Sequence, residues 1–254
     1  MKDKLALVTG ASAGIGEACA EAFAKKGCHL ILTGRRRNRL EMLAERLRRE
    51  YSVEVTSLIF DVSKRDQVEK IMLPHRDSLQ KLDFLINNAG LAKGTAKVPV
   101  ADIDDWETMI DTNVKGLLYM TRLCLPGMIQ RGNGHIVNLG SVAGRWVYPG
   151  GAVYCASKFA VRALSEGLRM DLMGHPIRVT NIEPGMVETE FSLVRFGNEN
   201  KAKNVYEGMT PLKAEDIAET ILWCVERPAH VNIQELVIYP TDQVGVGVSA
   251  VARR

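Results

Sequence analysis

Thr9-Gly-Ala-Ser-Ala-Gly-Ile-Gly16 decides the fold. It follows an apolar run, Leu5-Ala-Leu-Val-Thr9, and opens a segment of helical period, Ile15 to Lys26, that stops at Gly27. Glycines at 10, 14 and 16 let the main chain turn tightly and come close to a pyrophosphate. The helix start then offers free N–H groups and a positive dipole end to the phosphates. A strand before and a helix after distinguish this stretch from an ordinary glycine-rich turn.

Outward from this loop the pattern repeats. His29–Thr33 reads as a second strand and Arg36–Glu50 as a helix with Leu40, Leu43, Ala44 and Leu47 on one face. Further strands are expected at 53–60, 83–87, 134–138, 177–181 and 235–239. Continuous apolar strands separated by helices indicate a parallel sheet buried on both faces, doubly wound by right-handed crossovers. No repeat, linker or low-complexity tract divides the 254 residues, so one α/β domain over 1–254 is expected. Two segments break the alternation: polar 189–209, between the sixth strand and a helix, and the Gly- and Val-rich tail 240–254.

Composition narrows the partners. Thirty-three basic against 30 acidic side chains leave a net charge of +3. That is too small an excess to argue for nucleic acid or a membrane surface. No apolar run approaches the roughly 20 residues of a membrane span. The five cysteines are scattered, with no zinc spacing, and fit reduced thiols in the cytoplasm. No metal is expected.

The end of the second strand reads the cofactor. A carboxylate there would accept hydrogen bonds from the ribose hydroxyls of NAD. The chain has Gly34-Arg-Arg-Arg37 instead. Guanidinium groups suit a 2′-phosphate, so Arg35 and Arg36 point to NADP. Cations at a helix start oppose its dipole, and a bound phosphate would account for three of them.

Tyr154-Cys-Ala-Ser-Lys158 sets a phenol and an ammonium one helical turn apart. A phenol of pKa about 10 is a poor base at neutral pH, and a nearby ammonium is expected to lower it. With Asn87-Asn-Ala-Gly90, Asn113, Ser141 and Pro184-Gly185 in the same order, the chain resembles the short-chain dehydrogenase/reductases along nearly its whole length. The resemblance implies a Rossmann-like sheet in the order 3-2-1-4-5-6-7. It also implies a catalytic set of Asn113, Ser141, Tyr154 and Lys158. Ser141 would hold the substrate oxygen, Tyr154 would exchange its proton, and Lys158 would tune Tyr154 and bind the nicotinamide ribose. Asn113 would position a water. Cofactor contacts are implied for Gly10, Ser12, Gly14, Ile15, Gly16, Asp61, Val62, Asn88, Ala89, Gly90, Pro184, Gly185, Val187 and Thr189, besides Arg35, Arg36, Tyr154 and Lys158.

Three longer stretches, 105–113, 183–191 and 228–233, look like the NADP-dependent 3-hydroxy acid dehydrogenases, a subgroup also called serine or allo-threonine dehydrogenase. That likeness implies a small 3-hydroxy acid such as L-serine, L-allo-threonine or 3-hydroxypropionate, oxidised at its hydroxyl, or a semialdehyde reduced in reverse, by a homotetramer. A sulfonated-aldehyde reductase or a reductase of neutral carbonyls would use the same residues. A sugar-nucleotide epimerase shares the Tyr/Lys pair but is usually longer, with a second lobe. A non-catalytic NADP sensor would not need the full set. In the family, segment 189–209 covers the substrate. Arg195 is the only cation between Thr189 and Asn200, which makes it the candidate clamp for a carboxylate, with Arg145 its rival.

Overall fold

In the computed structural model, described for residues 1–246 and 248–249, seven parallel strands form one twisted sheet in the order β3-β2-β1-β4-β5-β6-β7. The strands are β1 Leu5–Thr9, β2 His29–Gly34, β3 Val55–Ile59, β4 Phe84–Asn87, β5 Gly134–Leu139, β6 Ile177–Pro184 and β7 Glu235–Ile238. The helices are α1 Gly14–Lys25, α2 Arg37–Tyr51, α3 Arg65–Met72, α4 Arg76–Gln80, α5 Ile103–Ile110, α6 Leu117–Arg131, α7 Ala152–Asp171, α8 Phe191–Phe196, α9 Glu199–Asn204 and α10 Ala214–Val225. This is the Rossmann-like order expected. The order reverses between β1 and β4, and ligands of such sheets bind at the carboxyl ends beside that switch.

Alternation along each strand builds two cores. Ala6, Val8, Leu30, Leu32, Ile86, Val137 and Ile182 face one side, where α1, α2 and α10 contribute Phe23, Leu40, Leu47 and Ile221. Leu7, Ile31, Leu85, Ile136 and Val179 face the other, against Val68 and Met72 of α3 and Met120, Cys124 and Met128 of α6. Both faces are dry, which is why the strands read as unbroken apolar runs. Each fully buried Leu or Ile contributes about 1.5–3 kcal/mol.

Several boundaries differ from expectation. The sixth strand runs on to Pro184 because its last four residues pair with β7, Pro184 opposite Ile238. The third strand is shorter, Val55–Ile59, and the bond from Phe60 N to Gly34 O at 3.1 Å closes its pairing with β2 before the loop that carries Asp61. Between α5 and α6 the chain passes through a π-helical stretch, Asp111–Gly116, holding Asn113. Such wide turns occur often at functional sites. The expected covering segment contains α8 and α9, and its two ends are tied together: Glu188 N donates to Leu212 O and Leu212 N to Met186 O. In the tail, Gln243–Gly245 (β8) pairs antiparallel with Val248–Ser249 (β9). Residues 247 and 250–254 of the tail lie outside those described.

Gly16 shows why the phosphate loop needs its third glycine. A Cβ there would lie 2.4 Å from Asn88 Nδ2 and 2.5 Å from the carbonyl oxygen of Gly10. No real side chain tolerates that approach to main chain. Gly16→Ala is expected to destabilise the fold by about 1–3 kcal/mol or more. A thermal melt should show a drop of roughly 2–4 °C for each kcal/mol. An unchanged Tm would show that α1 can move away from β4 without cost.

Candidate active site

One cleft of about 420 Å³ runs along the carboxyl ends of the strands. Its lining takes in the phosphate loop, the ends of β2 and β3, the turn after β4, Ser141, Tyr154 with Lys158, and the chain after β6. Of the expected cofactor residues, all but Gly16 line it. Gly16 lies one layer back, holding α1 against the β4 turn.

The loop is held by named bonds. Thr9 Oγ1 accepts from Asn88 N at 3.0 Å and Ala89 N at 2.9 Å. Asn88 Nδ2 donates to Thr9 O at 2.8 Å and to Gly10 O. The Asn88 amide therefore braces the loop from behind. Gly10 and Gly14 have φ of +65° and +56°, left-handed values that favour glycine. The bare main chain beside the start of α1 fits a dinucleotide pyrophosphate.

The arginines after β2 are paired by carboxylates, two of the three from distant parts of the chain. Arg35 lies 3.6 Å from Asp61, and Arg37 bonds Glu41. Arg36 bonds Glu190 at 2.6 Å and donates its Nε to Ser12 Oγ at 3.1 Å. A bound phosphate is therefore not needed to balance these cations at the helix start. Protein carboxylates already do so, and sequence separation hides them: Asp61 comes from the loop after β3 and Glu190 from the covering segment.

Tyr154 and Lys158 share the inner face of α7, both buried. Lys158 Nζ donates to Leu139 O at 2.7 Å and lies 6.0 Å from the centre of the Tyr154 ring. Burial pulls the Lys158 ammonium down to about 8. Burial also pushes the Tyr154 phenol well above its ordinary value, opposed by its hydrogen bond to Ser141 and by the Arg195 charge. The sequence expectation was a phenol lowered by its neighbour. In the protein alone desolvation wins, because both groups sit away from water. Ser141 Oγ also accepts from Ala143 N, which fixes the turn after β5.

Asn113 is buried and its amide is engaged. Nδ2 donates to Leu91 O and Ser157 Oγ, and Oδ1 accepts from Leu91 N. Both of its donors are thus spent on protein. Gly90 borders this pair closely: a Cβ there would lie 3.2 Å from Asn113 Oδ1 and 3.6 Å from Lys158 Nζ.

The two candidate cations part company. Arg145 is bonded by Glu183, which is fully buried, and by Glu235, so its charge is spent inside the protein. Arg195 does not line the cleft but lies over it. Its guanidinium carbon is 5.9 Å from the Tyr154 ring centre and 5.2 Å from that of Tyr148. Nη1 donates to the Tyr148 hydroxyl at 2.9 Å, while the buried Nε has no hydrogen-bond partner. Among the described residues no carboxylate lies within 4 Å of it.

Sequence reasoning missed several lining residues: Phe60, Leu91, Thr112, Gly140, Glu190 and Val194. Phe191, which also lines the cleft, packs its ring 5.7 Å from that of Tyr154. Of α5 only Met109 is buried. Gln243 was also missed. Its Oε1 accepts from Met186 N at 2.7 Å, so the tail braces the turn after β6. None of these carries a local motif.

A family model for short chain dehydrogenases matches residues 4–199. The chain belongs to that family. It is 48% identical over 247 residues to the NADP-dependent 3-hydroxy acid dehydrogenase YdfG of Salmonella typhi, covering 96% of this chain and 98% of that one. Serine 3-dehydrogenase of Agrobacterium fabrum is 46% identical over 242 residues, 95% of each chain. The closed form of serine dehydrogenase complexed with NADP⁺ superposes with a TM-score of 0.88 at 46% identity, over 98% of this chain and 100% of that one.

In this dehydrogenase the buried Lys158 has a cost that can be measured. Its folded pKa lies below its unfolded value, so the unfolded chain binds more protons between about pH 8 and 10.5. Stability from this group therefore rises with pH across that window, and the penalty is fully present below it. Lys158→Met is expected to abolish turnover yet raise stability at pH 7 by about 1–2 kcal/mol, net of the lost bond to Leu139. The gain should shrink above pH 10 in denaturant melts. A variant less stable than wild type at pH 7 would show that the Leu139 bond outweighs desolvation.

Proposed function

We propose that this protein is an NADP-dependent oxidoreductase that moves a hydride to or from the hydroxyl-bearing carbon of a small 3-hydroxy acid, such as L-serine, L-allo-threonine or 3-hydroxypropionate. The observation that carries the substrate class is Arg195: a guanidinium without a carboxylate partner among the described residues, lying over Tyr154. Relatives named as 3-hydroxy acid and serine dehydrogenases support the same class. The two arginines after β2 and the cofactor named in those relatives support NADP.

The residues present fit that cofactor. Gly10, Gly14 and the start of α1 would hold its pyrophosphate, Arg36 its 2′-phosphate, and Lys158 the ribose next to the nicotinamide. When bound, NADP supplies the hydride acceptor for oxidation or the donor for reduction. The chain's own residues do the rest. Ser141 orients the substrate oxygen toward Tyr154. Burial keeps the Tyr154 phenol protonated, the form that gives a proton to a carbonyl oxygen in reduction. Oxidation asks Tyr154 to take a proton, and the Lys158 ammonium is the nearest positive charge on its own helix. Tyr154→Phe keeps the ring packing and removes the proton. It is expected to lower kcat about 10²–10⁴-fold while NADP affinity, read by fluorescence titration, changes little. Near-normal kcat would remove Tyr154 from the chemistry.

Arg195 and the Tyr148 hydroxyl would take the substrate carboxylate, the guanidinium by two parallel hydrogen bonds. A sulfonate offers the same charge, so a sulfonated aldehyde is the second reading this cation favours. Arg195→Leu is expected to cut kcat/KM for serine or 3-hydroxy acids roughly 10- to 150-fold. A neutral alcohol or aldehyde and NADP affinity should be spared. Equal loss on acidic and neutral substrates would assign Arg195 to positioning of α8 instead. The five free cysteines accord with a cytosolic location, and exposed Leu118 and Phe159 on α6 and α7 with a homotetramer.

A further inference from the structure

The covering segment is fastened to the end of the site farthest from the chemistry. Glu190, the residue before α8, gives one carboxylate oxygen to Arg36 Nη1 and the other to Arg39 Nη1, each at 2.6 Å. These two arginines hold its carboxyl below the usual carboxylate range. Arg36 in turn grips the phosphate loop, donating Nε to Ser12 Oγ at 3.1 Å and Nη2 to Ser12 O at 3.2 Å. Glu190 thus straps the covering segment to the phosphate loop across the cofactor cleft, which both Arg36 and Glu190 line.

The same short helix reaches the catalytic end. Val194 N donates to Glu190 O at 2.9 Å. Phe191 packs on Tyr154, Val194 lines the cleft, and Arg195 lies over the Tyr154 ring. A shift of Glu190 therefore moves the groups above the phenol. A carboxylate held by two guanidinium groups also presents to them the paired anionic oxygens that a phosphate presents. A 2′-phosphate dianion needs the same donors, and two like charges on one arginine pair repel.

We propose that Glu190 is the protein's own rival to the cofactor's 2′-phosphate: it occupies Arg36 and Arg39, and its displacement by that phosphate frees α8, so that Arg195 can close from its place over Tyr154 onto the substrate. The inference rests on the reading of Arg36 as the 2′-phosphate receptor, and it adds Arg39 to that receptor. It makes Glu190 a residue that sets the preference between NADP and NAD. NAD, lacking the phosphate, leaves the strap in place.

The test uses adenosine 2′,5′-bisphosphate and AMP, which differ in the 2′-phosphate and lack the nicotinamide. Binding is followed by calorimetry and the 188–197 segment by hydrogen–deuterium exchange. In wild type the bisphosphate should bind at least about tenfold tighter than AMP and speed exchange in 190–196, while AMP leaves exchange unchanged. Glu190→Gln should bind the bisphosphate and NADP roughly 3- to 10-fold tighter than wild type, as expected for two half-exposed ion pairs, with AMP and NAD within twofold. Its 190–196 exchange should be fast without ligand and insensitive to the bisphosphate. Arg39→Gln should loosen the same segment but weaken bisphosphate binding. Equal affinity of bisphosphate and AMP for wild type would overturn the reading of Arg36 and the strap with it. Tight bisphosphate binding that leaves exchange unmoved, or a Glu190→Gln protein that binds it more weakly, would overturn the strap alone.

Discussion

The close approach of α1 to the turn after β4 is the constraint from which the site is built. It exists because Gly16 has no side chain to hold the two apart. Asn88 enters the space and bonds the carbonyls of Thr9 and Gly10, while the Thr9 hydroxyl takes the amides of residues 88 and 89. That fixes the next residue, Gly90, whose open side borders Asn113 and the Lys158 ammonium. A continuous set of contacts therefore runs from the loop at the pyrophosphate end to the lysine at the chemical end. Rigid placement over this length is what a hydride transfer needs, because its geometry tolerates little error.

Electrostatics then sorts the charged groups by whether the protein has already paired them. Arg145 is neutralised by Glu183 and Glu235, and Arg35 to Arg37 each face a carboxylate. These cations stabilise the fold or its segments and have partners before any ligand arrives. Among the described residues Lys158 and Arg195 have no carboxylate partner; the first is held by a main-chain carbonyl, and the second by a tyrosine hydroxyl and three aromatic rings. A buried or half-buried cation without an anion costs stability. That cost is sensible where an anionic or developing negative charge is to be met, and both groups face Tyr154.

The sheet was readable in the sequence because strands dry on both faces must be apolar throughout, and the loop after β1 because only glycine allows its backbone. Tyr154 and Lys158 were readable because one helical turn brings positions four apart together. What was hidden is what depends on tertiary approach. Glu190 is an ordinary acid on a polar stretch until folding brings it to Arg36. Gln243 belongs to a tail without periodicity, yet it supports the backbone after β6. Arg145 rivals Arg195 in the sequence, and only its partners from β6 and β7 rule it out. The expected lowering of the Tyr154 phenol failed for a related reason. Spacing shows that an ammonium is near, but burial, which outweighs it, is a property of the packed structure.

Parts of a fold held by few buried apolar contacts open at the lowest cost, and over this site that part is α8. Helix α8 buries only Ser192 and meets the rest of the protein through a few polar ties and ring contacts. Ser192 shares a hydrogen bond with Tyr206, and the Tyr206 hydroxyl bonds Val187 O, so the segment closes on itself. The main-chain carbonyl of Arg195 accepts from Gly94 N, joining it to the loop after β4. These ties place the element over Tyr154 without embedding it in either core. Its contacts with the body of the protein are then chiefly electrostatic and aromatic. A charged ligand can compete with contacts of that kind, and it could not compete with a buried apolar face.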